Sequence, residues 1–149
     1  MAVILTAICV TGLLVVFVLW NRRVKARDEM ERHSITPEGL HALLASNRDV
    51  LLYDVRIPLD LLANSEILPG AKRLAPKEVL ANPSLIPKDV ESVVYCTCPS
   101  DKTSRTVLHR VLALGFLRVK FLKGGLEAWK ARGFPVEPYE KSFHLDTDK

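Results

Sequence analysis

The sequence predicts an α/β domain with a mostly parallel sheet covered by helices on both faces, preceded by one apolar N-terminal helix. Short β-branched or apolar runs alternate with helical patterns from residue 34 to residue 138, the order expected of a parallel sheet wrapped by helices. A run such as Val50-Leu51-Leu52-Tyr53 is continuously apolar, as befits a strand buried on both faces. Separate from this alternation stands an uncharged block, Ala2 to Trp20.

That block matches a bilayer, since about 19 helical residues reach roughly 28 Å. A cleaved leader would want basic residues before it and small residues after it. Here nothing basic precedes, and bulky Phe17-Val18-Leu19-Trp20 runs straight into Asn21-Arg22-Arg23. A core helix would carry a polar face, and none is present. Residues 2–20 are therefore expected to be a retained transmembrane helix, and residues 21–33 a charged juxtamembrane linker. Arg22, Arg23, Lys25 and Arg27 supply four positive charges there, and the remaining 17 basic residues balance the 17 acidic ones. Basic flanks stay on the cytoplasmic side, which predicts a single-pass protein with its N-terminus outside and its domain in the cytoplasm. The net charge of +4 is thus a topology signal and gives no support to a nucleic-acid partner.

The domain is expected over residues 34–138. Thr36 can cap a helix that Pro37 begins, with Leu40, Leu43 and Leu44 on one face. The strand at 50–53 ends at Asp54-Val55-Arg56. A helical patch from Pro58 to Ala63, a Pro69-Gly70 turn, a short strand at 71–74 and a helical turn at 77–80 follow. Ser92-Val93-Val94-Tyr95-Cys96 is the strongest strand candidate. Helical spacing resumes at Ser104 and places Val107, Leu108, Val111, Leu112 and Leu114 on or near one face, with Gly115 at the C-cap. Residues 119–122 form a strand, and 126–132 a last helix closed by Gly133. The polar tail, 139–149, is expected to be poorly ordered.

The chemistry is expected in the loop from Thr97 to Thr103, because ligands of open α/β sheets bind beyond the carboxyl ends of the strands. At a helix start the backbone N–H groups and the macrodipole lower a thiol's pKa and welcome an anion. Lys102 adds a charge to this cradle and Asp101 subtracts one. Cys9 falls within the apolar block as a small inert side chain. Cys96 and Cys98 lie too close to build a disulfide framework and suit free thiols. The four histidines show no ligand spacing with the cysteines, so neither a metal nor a cofactor is expected.

Several words of the sequence, in order, resemble the rhodanese family. Asp54-Val55-Arg56 resembles its Asp-x-Arg signature, and Leu68-Pro69-Gly70-Ala71 its Ile-Pro-Gly-Ala turn. Val93-Val94-Tyr95-Cys96 looks like the strand that enters its active-site loop. Gly115-Phe116, Gly124-Gly125-Leu126-Glu127-Ala128-Trp129 and Gly133-Phe134-Pro135-Val136 are similar to its C-terminal words. The resemblance covers roughly residues 35–138. It implies a three-layer rhodanese-like fold and a sulfurtransferase, in which a cysteine thiolate takes sulfane sulfur from thiosulfate or a persulfide and passes it to a thiol acceptor.

Cys98 and Cys96 are both candidates for the catalytic place. Counting from the strand gives Cys96, and counting back from Ser104 gives Cys98, which the helix-end cradle favours. The substrate-binding residues implied are Pro99, Ser100, Asp101, Lys102, Thr103, Ser104 and Arg56, with Asp54 structural. An ion pair between Arg56 and Asp54 is the competing role for Arg56. The sequence departs from the family pattern at Ile67, where a histidine is usual, and in the loop, where the usual glycine and arginine are absent. A tethered, non-catalytic interaction module is the alternative. A phosphatase or arsenate reductase is disfavoured because Arg105 falls one residue late after Cys98.

Overall fold

The computed structural model describes residues 2–46, 48–97 and 101–140, with side chains from Gly12 onward. The chain divides into two compact units, residues 1–33 and 34–149.

The first unit is a single helix, α1 (Ala2–Arg32). Residues 21–32, expected as a linker, are therefore helical. Positions 13–36 contain neither glycine nor proline, and opposite charges recur at helical spacing in Lys25/Glu29, Arg27/Glu31 and Asp28/Arg32. Leu13 through Trp20 are exposed along α1. Among the described residues no helix is long and apolar enough to cross a membrane, and residues 2–11 of the expected span lie outside the described side chains.

The second unit is built on a five-stranded parallel sheet in the order β1-β6-β5-β2-β4. Its strands are β1 (Ser34–Ile35), β2 (Leu51–Asp54), β4 (Lys72–Arg73), β5 (Ser92–Tyr95) and β6 (Val119–Leu122). All four residues of the central β5 are buried, which explains the apolar run Val93-Val94-Tyr95. In register, β2 sets Asp54 beside Tyr95 on one flank and beside Arg73 on the other. A separate antiparallel pair joins β3 (Glu66–Ile67) to β7 (Glu137–Pro138).

Side chains alternate across β5 and thereby divide the core. Val93 and Tyr95 join Leu52, Leu122, Leu40 of α2 (Pro37–Ala45), and Leu126 and Trp129 of α6 (Gly125–Ala131). On the other side, α5 (Lys102–Ala113) packs on β5 and β6 through buried Val107, Leu108 and Val111, and α4 (Pro76–Ala81) packs on α5. The short α3 (Pro58–Ala63) contributes Leu61. Thr36 caps α2 as expected, its Oγ1 accepting from the Gly39 N–H at 3.1 Å.

Three details differ from the expectation. Helix α5 begins at Lys102 rather than Ser104. Strands β1, β3 and β7 carry no sequence signal, since two residues are too few to show a period. Tyr139, assigned to the tail, packs against the core and donates its N–H to the Ser65 carbonyl at 2.6 Å, so the domain runs past residue 138. Residues 141–149 of that tail lie outside the described residues.

Candidate active site

The carboxyl end of β5 meets the starts of two helices. Cys96 follows Tyr95 directly and is fully buried. Its carbonyl oxygen accepts from the Leu126 N–H at 2.9 Å, which pins the first turn of α6 to the strand end. Only glycine fits between them. A Cβ on Gly125 would stand 1.8 Å from the Cys96 carbonyl oxygen, and its φ of +53° is one that side chains resist.

The loop re-enters the described structure at Asp101, just before α5. Asp101 has φ +51°, the one non-glycine residue with positive φ among the described residues. An aspartate tolerates this left-handed conformation better than most residues. Its carbonyl accepts from the Arg105 N–H at 2.9 Å, closing the first turn of α5. Its side chain turns inward, and Oδ2 accepts from the Gly124 N–H at 2.9 Å. Burial pushes the Asp101 carboxyl above the usual carboxylate range, against the opposing pull of that hydrogen bond and of Arg105.

Among the described residues, three buried side-chain oxygens here lack a hydrogen-bond partner: Thr97 Oγ1, Asp101 Oδ1 and Ser104 Oγ. Buried polar atoms are usually hydrogen-bonded, so three together are uncommon. Lys102 is exposed, Thr103 half-buried and Ser104 fully buried. Cys98, Pro99 and Ser100 lie outside the described residues.

Arg56 and Asp54 sit at the end of the neighbouring strand, both fully buried. The Arg56 Nε donates to the two Asp54 oxygens at 2.9 and 2.8 Å, and Nη2 adds a third, short bond to Asp54. Nη1 donates to the Asn64 carbonyl and Nη2 to the Glu66 carbonyl, each at 2.7 Å. This is the ion-pair role that competed with anion binding in the sequence. The pair fastens the end of β2 to the segment between α3 and β3. Tyr95 extends it: its hydroxyl accepts from the Leu68 N–H at 3.1 Å, and Tyr95 pairs in register with Asp54. Burial, reinforced by the Asp54 charge, raises the Tyr95 phenol well above its ordinary value.

The fold, the strand-end loop and the Asp-x-Arg lock agree with a comparison of the whole chain: a family model for the rhodanese-like domain matches residues 36–132. The chain belongs to the rhodanese-like family. A protein of Allochromatium vinosum named sulfurtransferase is 34% identical over 104 residues, covering 70% of this chain and 94% of that protein. A protein of Anabaena sp. superposes with a TM-score of 0.60 at 26% identity, over 70% of this chain and 82% of its own. A rhodanese-related protein of Thermoplasma volcanium shares the fold, with a TM-score of 0.58 at 20% identity, covering 70% and 97% of the two chains.

Within this rhodanese-like domain, the sequence words divide by task. The Leu68-Pro69-Gly70-Ala71 turn presents the Leu68 N–H to Tyr95, and Ile67 is buried in β3. Gly124 and Gly125, legible only as a family word, hold both ends of the loop, through Asp101 and through Cys96. Their part in the site leaves no trace in local sequence, because both contacts span more than twenty residues. Trp129 is buried and donates from Nε1 to the Pro135 carbonyl at 2.8 Å, a packing role. Among the described residues no group of three or more His, Cys, Asp or Glu side chains is arranged to hold a metal.

Proposed function

We propose that the chain is a sulfurtransferase that carries sulfane sulfur on a cysteine of the loop between β5 and α5. The observation that carries this reading is the position of that loop, at the carboxyl end of the central parallel strand and at the start of a twelve-residue helix. A thiolate there gains from the helix dipole, and the same partial charge steadies the terminal sulfur of a persulfide.

The reaction needs no external oxidant. The cysteine thiolate attacks the outer sulfur of the donor, forming a new S–S bond. The donor's own S–S bond breaks, and its electron pair leaves with sulfite from thiosulfate, or with a thiolate from an organic persulfide. An acceptor thiolate then attacks the outer sulfur of the cysteine persulfide, and the cysteine leaves as thiolate.

Cys98 is the nucleophile in this reading. Its support is the complete burial of Cys96, whose carbonyl is held by the Leu126 N–H and closely approached by Gly125. Arg56 is assigned to the lock with Asp54 rather than to the donor. The uncharged block at residues 2–20, with its basic flank, supports a single-pass anchor that keeps the domain in the cytoplasm. Incubating the full chain with thiosulfate or cysteine persulfide and weighing it by mass spectrometry tests the assignment. Cys98→Ser abolishes the added mass of one sulfur atom, about 32 Da, while Cys96→Ser retains it. Persulfide surviving in the Cys98→Ser chain would refute the assignment. No persulfide on the unaltered chain with either donor would refute sulfur transfer itself.

A further inference from the structure

A cleft of about 610 Å³ opens between the edge strand β4 and the β3–β7 pair. Its size lies in the range of small-molecule sites. In the sheet β2 separates β4 from β5, and none of the lining residues belongs to the loop after β5 or to α5.

Backbone contacts set its walls. On one side Ile67 pairs with Glu137, and the Ala71 N–H donates to the Leu68 carbonyl at 3.0 Å, closing the Pro69-Gly70 turn. On the other the Leu74 N–H donates to the Asp54 carbonyl at 2.9 Å, and Arg73 Nη1 to the Arg56 carbonyl at 3.0 Å. A cleft built in this way needs little ordering to accept a ligand.

Charge is divided around it. Lys72 and Arg73 line it from β4, and Glu137 and Glu140 from β7 and the residues that follow. Among the described residues no ion pair joins either cation to either carboxylate, although Lys120–Glu91, Lys130–Glu66 and Arg132–Glu38 all form elsewhere in the domain. Arg73 uses one N–H on the Arg56 carbonyl, and Glu137 accepts one long bond, 3.4 Å, from the Gly70 N–H. Lys72 and Glu140 are exposed and keep their full hydrogen-bonding capacity. The rest of the lining is largely apolar, from Ile67, Ala71, Leu74 and Tyr139.

This lining selects by charge. A bare anion meets Glu137 and Glu140, and a bare cation meets Lys72 and Arg73. An uncharged apolar molecule takes water from all four and gives no partner back. A molecule with a carboxylate, an ammonium and an apolar body answers every part of the lining.

We propose that this cleft binds a small zwitterion with an apolar side chain, of the α-amino acid or short-peptide class. Its carboxylate pairs with Lys72 and Arg73, its ammonium with Glu137 and Glu140, and its side chain covers Ile67 and Leu74. Occupancy of this cleft is independent of sulfur transfer, and each stands or falls by its own measurement.

The full chain in nonionic detergent micelles is titrated with leucine, leucyl-leucine, N-acetyl-leucine and leucinamide, following the amide NMR signals of Gly70, Lys72, Leu74 and Tyr139. At least one of the two zwitterions gives saturable shifts there with a Kd of about 1 mM or tighter. The tighter of the two distinguishes a single amino acid from a peptide. Masking either charge of leucine weakens binding about threefold. Lys72→Gln weakens leucine and N-acetyl-leucine and leaves leucinamide unchanged. Glu140→Gln weakens leucine and leucinamide and leaves N-acetyl-leucine unchanged. Both substitutions fall on exposed side chains without partners, so the fold is kept. No saturation by either zwitterion at about 10 mM, or losses in the two variants that ignore which charge the ligand carries, would overturn the proposal.

Discussion

The Asp101 carboxylate and the Gly124 N–H meet at 2.9 Å and tie the start of α5 to the N-cap residue of α6. The bond holds the α5 end of the loop that follows β5, as the Leu126 N–H holds its strand end at the Cys96 carbonyl. Because Asp101 is buried and its carboxyl is raised above the ordinary range, this tie has a pH signature. The folded chain binds the Asp101 proton more tightly than the unfolded chain. The corresponding stability is fully present below the unfolded value, about pH 4, and is lost as pH rises through the folded one. Urea midpoints measured from pH 3 to 7 (a window set around that value) should show this acid-side decline shrinking in Asp101→Asn.

Gly125 should be the least replaceable glycine of the domain. Gly125→Ala places a methyl group 1.8 Å from the Cys96 carbonyl oxygen at a φ of +53° and forces α6 off the strand end. A loss of about 3 kcal/mol or more is expected from the clash and the backbone strain together. Gly70→Ala is the control. Its φ is +72° with nothing within 4 Å of the added carbon, so strain alone should cost about 1 kcal/mol. Denaturant midpoints compare the two.

Arg56→Met should destabilise the domain by about 3–5 kcal/mol, since it strands the fully buried Asp54 carboxylate. The double substitution Arg56→Met with Asp54→Leu should recover a large part of that loss. Sulfur transfer per folded molecule should change little in either chain. A selective rise in KM for the donor, with stability unchanged, would instead place Arg56 at the substrate.

Tyr95 governs the alkaline limit. Its phenol stays protonated in the fold above the pH at which it ionises in the unfolded chain, so stability is lost as pH rises beyond about 10. Tyr95→Phe should flatten that decline, with Tyr53, also raised by burial, leaving a residual slope. At neutral pH the same change should cost about 1–2 kcal/mol, because the buried Leu68 N–H loses its partner. Thermal melts at pH 7 and pH 10.5 (on either side of the ordinary phenol value, about 10) separate the two effects.

What could be read from the sequence follows from what each residue depends on. Strands β2, β5 and β6 were legible because their largely buried positions call for apolar side chains, as at Val93, Val94 and Tyr95, with Lys120 the one cation among them. Strands β1 and β7 exist only through partners far along the chain, Ser34 beside Phe121 and Glu137 beside Ile67, and no local pattern records such pairings. The helix through residues 21–32 was obscured by its charges, which mark a linker and a solvated helix equally well. At the site, the Asp54-Val55-Arg56 word announced itself, yet the inward turn of Arg56 depends on the Asn64 and Glu66 carbonyls. Asp101 could be seen to oppose the cradle's charge. Its left-handed backbone and its reach to Gly124 arise from a contact 23 residues away.

The parallel sheet ends on both flanks in strands of only two residues, Ser34–Ile35 and Lys72–Arg73. An edge that short offers a foreign strand almost no template, and the outer one carries two cations that repel a copy of itself. The sheet's ability to grow is thereby capped at five strands. Crowding many copies together should accordingly favour neither filaments nor strand-swapped aggregates built on these edges.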